Sequence, residues 1–266
     1  MRCRASSPPS SRSWGWSRVS RAAGYRPYAP LLVPKPWGED IWTVDGPEVG
    51  YGFMGLVIPC PTRMTVVRLG NGDLWVHSPV AYSPGLGAAL GQLGRVAWLI
   101  APNLHHYVHL AEWQALYPEA RVFALPALAE KIGLARWSDL DAAEHKAWSG
   151  AIATIPLALG AFSECVFVHH ASRTLIVTDL MQRFEAERIA SPLIRLILLA
   201  GGATGPDGQP SIDMRWALRG HRAALATGLE AALALEPERI ILSHGLCFER
   251  DARAAIERAF PALVHG

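Results

Sequence analysis

Side chains that could do chemistry gather at three places in the 266-residue sequence. Pro102–Leu110 (PNLHHYVHL) carries Asn103, His105, His106 and His109 directly after the apolar run VAWLIA. Asp179 follows TLIVT, and His244 follows RIILS. Short apolar runs of this kind read as buried strands, so each polar group stands at a strand end, where α/β sheets place their functional groups. A lone carboxylate there is costly unless it is paired or metal-bound, so Asp179 needs a partner. Neutral imidazole plus carboxylate is ligand chemistry for zinc, iron or manganese. One such ion is therefore the economical common partner of His105, Asp179 and His244, with Asn103, His106 and His109 as further candidate ligands and Asp179 and His105 as candidate catalytic groups.

Metal-free alternatives stay open. Arg173 or Arg183 could pair with Asp179, and His244 could bond a backbone carbonyl in front of Gly245. His105 and His109 are spaced i, i+4 and share one face if a helix starts at Leu104, with Glu112 a turn further on. The segment is not H-E-x-x-H, so this spacing does not make a zincin. Gly85-x-Gly87-x-x-x-Gly91 has the wrong spacing for a dinucleotide loop, and Ser243-His244-Gly245 is not a nucleophile elbow. Trp113, Trp137 and Trp148 are read as packing residues rather than a ligand cage.

The elements that must position these groups follow from periodicity and turn chemistry. YGFMGLVIP, RMTVVRL and DLWVHS read as three consecutive strands separated by Pro-Thr and Gly-Asn-Gly-Asp turns. A helix near Leu86–Leu93, a strand Val96–Ala101, a helix near Leu104–Tyr117 and a strand Arg121–Leu125 follow, the alternation of a layered α/β unit. Ala151–Leu159, Glu164–His169 and Arg173–Thr178 are further strands. The chain closes with a helix over about His221–Leu235, a strand Arg239–Ser243 and a helix over about Asp251–Phe260. Two halves, each of strands followed by helices, predict a two-sheet sandwich.

Composition bounds the setting. Half of the residues are hydrophobic and 18% are charged, enough apolar material for one large core. Residues 1–26 carry six arginines and no acid; without them 19 basic residues face 23 acidic ones, a net −4, with no footprint for nucleic acid or an anionic membrane. The Ser/Arg-rich opening, residues 1–30, reads as a disordered or targeting segment, and residues 31–266 as one domain. The longest apolar run, Pro192–Ala203, is broken by Arg195 and is shorter than the ~20 residues of a membrane span. Cys3, Cys60, Cys165 and Cys247 form no C-x-x-C pair, which points to a reducing, cytoplasmic setting.

The order of strand, histidine loop, helix, strand ending in Asp179 and strand ending in His244-Gly245 resembles the metallo-β-lactamase superfamily over roughly Trp37–Phe260. Segments of the type APN-x-HH and SRTLIVTDL resemble a branch described as a domain of unknown function. The resemblance implies an αββα sandwich of two mixed sheets. It further implies metal-dependent hydrolysis of esters, thioesters, amides or phosphodiesters. Against the superfamily's H-x-H-x-D-H motif the chain offers Asn103-Leu104-His105-His106-Tyr107-Val108, so His105 alone matches and Tyr107 replaces the aspartate. The later Gly-His ligand corresponds to Gly160-Ala161 and is missing, whereas Asp179 and His244 are retained. The expectation is one metal ion, or none, serving a hydrolase of small molecules. The alternative is a non-catalytic, metal-free relative that binds a small molecule or a protein.

Overall fold

The computed structural model describes residues 16–17, 24–53, 55–141 and 146–261. Two β-sheets face each other. The larger contains β1 (Trp16–Ser17), β2 (Lys35–Gly38), β3 (Ile41–Phe53), β4 (Leu56–Arg68), β5 (Asp73–His77), β6 (Arg95–Ala101), β7 (Arg121–Ala124) and β8 (Ser138–Asp139). Its order is β1-β3-β4-β5-β6-β7-β8, with β2 paired to β3; it is antiparallel as far as β5 and parallel from β5 to β8. The smaller contains β9 (Ile152–Leu157), β10 (Glu164–His169), β11 (Thr174–Val177) and β12 (Arg239–Leu242) in the order β12-β11-β10-β9. Its β11 and β12 run parallel.

Period-two alternation divides each strand between two cores. Along β10, Cys165 and Phe167 join Trp75, Ile100, Ile176 and Ile241 between the sheets, while Val166 and Val168 face the other way. The outer face of the larger sheet packs on α1 (Pro84–Leu93), α2 (Leu110–Leu116) and α3 (Pro126–Ile132) through Leu86, Leu90, Leu110, Trp113 and Leu128. After α4 (Pro192–Ala200), the helices α5 (Ile212–Leu218), α6 (Arg222–Ala234) and α7 (Ala252–Ala259) cover the smaller sheet through Leu218, Leu225, Leu229 and Ile256. The layers are therefore α, β, β, α, as expected. Helix α1 starts where its sequence says it should: the Ser83 hydroxyl accepts the Leu86 amide at 3.1 Å, and Pro84 occupies the first turn.

Several sequence boundaries are corrected. Pro61-Thr62 does not break a strand; β3 and β4 are two long antiparallel strands, and the chain reverses at Gly55, whose φ is 81°. The proline amide that the ladder would need is absent, but Pro61 sits where the register between Gly46 and Val49 already shifts. Helix α2 begins at Leu110, not Leu104, so His105 and His109 do not share a helix face. Helices α3, α4 and α5 were not foreseen. Of the expected N-terminal segment 1–30, residues 1–15 and 18–23 lie outside the described residues. Within it Tyr25 is fully buried, and its amide donates to Glu48 at 2.6 Å.

Candidate metal centre

The parallel pairing of β5 with β6, and of β11 with β12, brings four strand ends to one edge of the sandwich. His77 ends β5 and Ser78 follows it; Pro102–His109 follows β6; Thr178-Asp179 follows β11; Ser243-His244 follows β12.

Three donor atoms converge there. His106 Nε2 lies 3.3 Å from Asp179 Oδ1 and 3.2 Å from His244 Nε2, and His244 Nε2 lies 3.2 Å from Asp179 Oδ1. Among the described residues this is the one group of three or more His, Cys, Asp or Glu donors with metal-ligand spacing. The far nitrogen of each ring is held by the protein. His244 Nδ1 donates to the Pro61 carbonyl at 2.7 Å, which turns Nε2 toward the triangle, and Ser78 Oγ lies 2.5 Å from His106 Nδ1.

The loop conformation comes from Asn103. Its Oδ1 accepts the amides of His105 (2.9 Å) and His106 (2.8 Å), a side-chain turn that swings His106 toward Asp179. Its Nδ2 donates to Asp179 Oδ2 at 2.7 Å and to Thr178 Oγ1 at 3.0 Å. The asparagine oxygen is thus committed to the backbone, and its amide hydrogens face the carboxylate. Asn103 shapes the loop and does not offer an oxygen to the cluster.

The other expected residues divide. His105 stands beside the triangle, its Nδ1 3.6 Å from Asp179 Oδ2, with its ring edge-on to Tyr51 and tilted against Phe162. His109 precedes α2, 3.5 Å from Glu112, and lines a shallow recess with Ser78 and His106. Tyr107 packs toward the outer core and carries Lys131 over its ring, away from the triangle. Arg173 pairs with Glu236 and Glu238, and Arg183 bonds the Cys247 carbonyl, so neither neutralises Asp179.

Sequence reasoning missed Glu164. This buried carboxylate opens β10 and accepts the amides of Thr178 (3.2 Å), Asp179 (3.0 Å) and Leu180 (3.2 Å), fixing the Asp179 strand end from beneath. An acid at the head of the apolar run ECVFVH was the available signal. Arg63, mid-strand in β4, was also missed. It is buried, pairs with Asp45 and donates to the carbonyls of Leu242 and Gly245, tying the His244 turn to the larger sheet. Gly245 has φ 92°, and a Cβ there would lie 1.9 Å from the Arg183 carbonyl oxygen, so this turn requires glycine.

The electrostatics suit a cation. Burial alone would raise Asp179, but His106 and the bonds from His105, His106 and His244 outweigh it and hold the carboxyl well below the usual range. Burial lowers His106 against the pull of Asp179, which leaves the imidazole neutral. Burial, then the charge of Asp179, pushes Glu164 up to about 7.

A pocket of about 70 Å³ opens beside the triangle. Asp179, His244 and His105 line it together with apolar residues such as Ile58, Phe162, Phe184, Ile197, Leu198 and Ile212 and the polar Gln182, Ser211 and Asp213.

Residues 38–128 match a family described as a domain of unknown function, DUF4336. No curated protein matches the sequence. Solved structures do match over nearly the whole body. FIM-1, a metallo-β-lactamase from Pseudomonas aeruginosa solved in its mono-zinc form, is 14% identical with a TM-score of 0.52, covering 87% of this chain and 96% of that one. The fold is that of the metallo-β-lactamases. The chemotaxis sensor ODP, solved as a peroxy diiron species, shares this sandwich at 12% identity and a TM-score of 0.53, over 88% of this chain and 95% of its own. Rubredoxin oxygen:oxidoreductase from Desulfovibrio gigas shares it at 14% identity and a TM-score of 0.60, over 87% of this chain and 60% of its own. The metallo-β-lactamase sandwich thus carries hydrolases and oxidoreductases alike, and the chemistry of this chain has to be read from its own residues.

Proposed function

We propose that this chain is a hydrolase of small ester, thioester, amide or phosphodiester substrates that works with one zinc, iron or manganese ion held by His106, Asp179 and His244. The observation that carries the reading is the triangle of donors with edges of 3.2, 3.2 and 3.3 Å. Ligands of a tetrahedral ion are separated by about 1.6 bond lengths, so these edges correspond to bonds of about 2.0 Å, the length of zinc bonds to imidazole and carboxylate. Such an ion, when bound, lowers the pKa of water toward neutrality and polarises a carbonyl or phosphoryl oxygen.

The chain's own residues supply the rest. Asp179 is ionised and His106 neutral, the protonation states that a cation needs. Ser78 and the Pro61 carbonyl orient the two rings. His105 lines the pocket next to Asp179 Oδ2 and is placed to carry a proton from the attacking water to the leaving group. In the reaction the water oxygen bonds to the carbonyl carbon or phosphorus. The bond to the leaving atom breaks, and that atom takes the proton. The free Cys60, Cys165 and Cys247 support a cytoplasmic setting, and no helix of the described residues is long and apolar enough to cross a membrane.

One observation favours a metal-free binding relative instead: Asp179 finds partners on both oxygens without an ion. Turnover separates the two readings. With one equivalent of zinc and a panel of one ester, one thioester, one amide and one phosphodiester, at least one substrate is expected to turn over. His106→Ala and Asp179→Ala should each lower that rate by on the order of 100-fold or more with Tm little changed. Absence of turnover across the panel, or rates unchanged in both variants, refutes the hydrolase.

A further inference from the structure

Helix α4 has the sequence PLIRLILLA and is apolar all round. A surface helix ordinarily turns one apolar stripe inward and a polar face to water. Here Ile194 packs inward and Ile197 and Leu198 reach the pocket, yet Leu193, Leu196 and Leu199 are 58–61% exposed at spacings of three. The one charged residue, Arg195, is tied back to the Ile189 carbonyl at 2.8 Å. On helix α5, Ile212 lines the pocket while 42% exposed, and Trp216, one turn on, is 66% exposed with the Arg219 guanidinium over its ring. Apolar residues of both helices thus line the pocket, and others on the same helices stand exposed to solvent. The enclosed part of the pocket, about 70 Å³, is under half of the roughly 150 Å³ that encloses benzene, so it takes only a few carbons and any longer chain continues over the outer leucines.

We propose that the substrate carries a linear acyl chain whose first carbons occupy the pocket and whose remainder lies along the exposed apolar face of α4 and α5. This rests on the hydrolase reading for where the carboxyl end sits, at Asp179, His105 and His244. Most of the lining is apolar; besides Asp179, His244 and His105 its polar residues are Gln182, Ser211 and the pair Tyr51 and Asp213, whose hydroxyl and carboxylate bond each other at 3.0 Å, an arrangement that suits an amphiphile bound by its head. Exposed leucines at three-residue spacing are otherwise a liability in water.

Straight-chain carboxylates from butanoate to decanoate, titrated calorimetrically into the protein carrying one equivalent of zinc, test this directly. Each methylene that leaves water should lower Kd by up to about fourfold, so octanoate should bind at least about tenfold tighter than butanoate. Ile212→Asp and Leu196→Asp, both at exposed positions, should weaken octanoate by about tenfold, whereas Leu116→Asp on the distant α2 should leave it unchanged. A Kd that levels off at butanoate, or that Leu196→Asp does not alter, overturns the proposal. Rates for p-nitrophenyl acetate and octanoate keep the two claims apart. Chain-dependent binding without turnover removes the hydrolase and leaves the acyl site. Acetate turnover with binding independent of chain length does the reverse.

Discussion

Replacing Glu164 with glutamine should change how stability depends on pH, in a window set by the structure. The carboxyl is buried among the amides of Thr178, Asp179 and Leu180, and burial with the nearby Asp179 charge raises it from 4.5 to about 7. Between those values the unfolded chain has lost the proton while the folded chain keeps it, so stability falls as pH rises through the window. At about 1.4 kcal/mol per pH unit, the loss is about 3 kcal/mol from pH 4.5 to pH 7. Glutamine cannot ionise, so the variant lacks this loss. It does present an amide N–H to the Thr178 amide, a fixed penalty of about 1–3 kcal/mol at every pH. The buried histidines act the other way, losing stability as pH falls below 6.5, but they are common to both proteins and cancel in the difference. The assay is urea unfolding of both proteins in chelator at half-unit steps from pH 4.5 to 7.5. The wild-type advantage is expected to fall by about 3 kcal/mol with rising pH, so that the two curves meet or cross. Parallel curves would refute the account of how the Asp179 strand end is held.

Other substitutions probe the remaining supports. His77 is fully buried, stacked on Trp75, and burial with the neighbouring His106 lowers it to about 3. His77→Phe should therefore abolish about 3 kcal/mol of the stability loss that the wild type suffers between pH 6.5 and pH 4.5, read from the same unfolding series; an unchanged acid limb would contradict this. Ser78→Ala deletes the partner of His106 Nδ1 and should raise the zinc Kd by about 10- to 100-fold with Tm preserved; equal affinities would show that Ser78 does not orient the ring. Gly245→Ala forces a Cβ onto the Arg183 carbonyl at positive φ and should destabilise by more than about 3 kcal/mol in urea unfolding; a cost under about 1 kcal/mol would mean that the His244 turn can relax.

Asp179 and His244 were legible in the sequence because each ends an unbroken apolar run, and a buried strand leaves its first polar residue at the sheet edge. The strands of the smaller sheet and the closing helix, strand and helix were legible for the same reason. His106 was harder. Motif spacing favoured His105, but the Asn103 side chain takes two amides and turns the loop so that His106 meets the carboxylate. Such a turn depends on a single side chain and leaves no periodicity. Glu164 and Arg63 lie within strands, and their partners are far away in sequence, so only the fold brings them to the site. The continuous β3 and β4 pair was obscured by Pro61, whose effect on a strand depends on the local register.

The central claim is that His106, Asp179 and His244 hold one ion. Equilibrium dialysis against zinc tests it most directly, counting sites per chain in the wild type and in His106→Ala, Asp179→Ala, His244→Ala and His105→Ala. One tight site, lost in the first three variants and retained in His105→Ala, is expected. Two sites, no site, or loss in His105→Ala with retention in His106→Ala would contradict it.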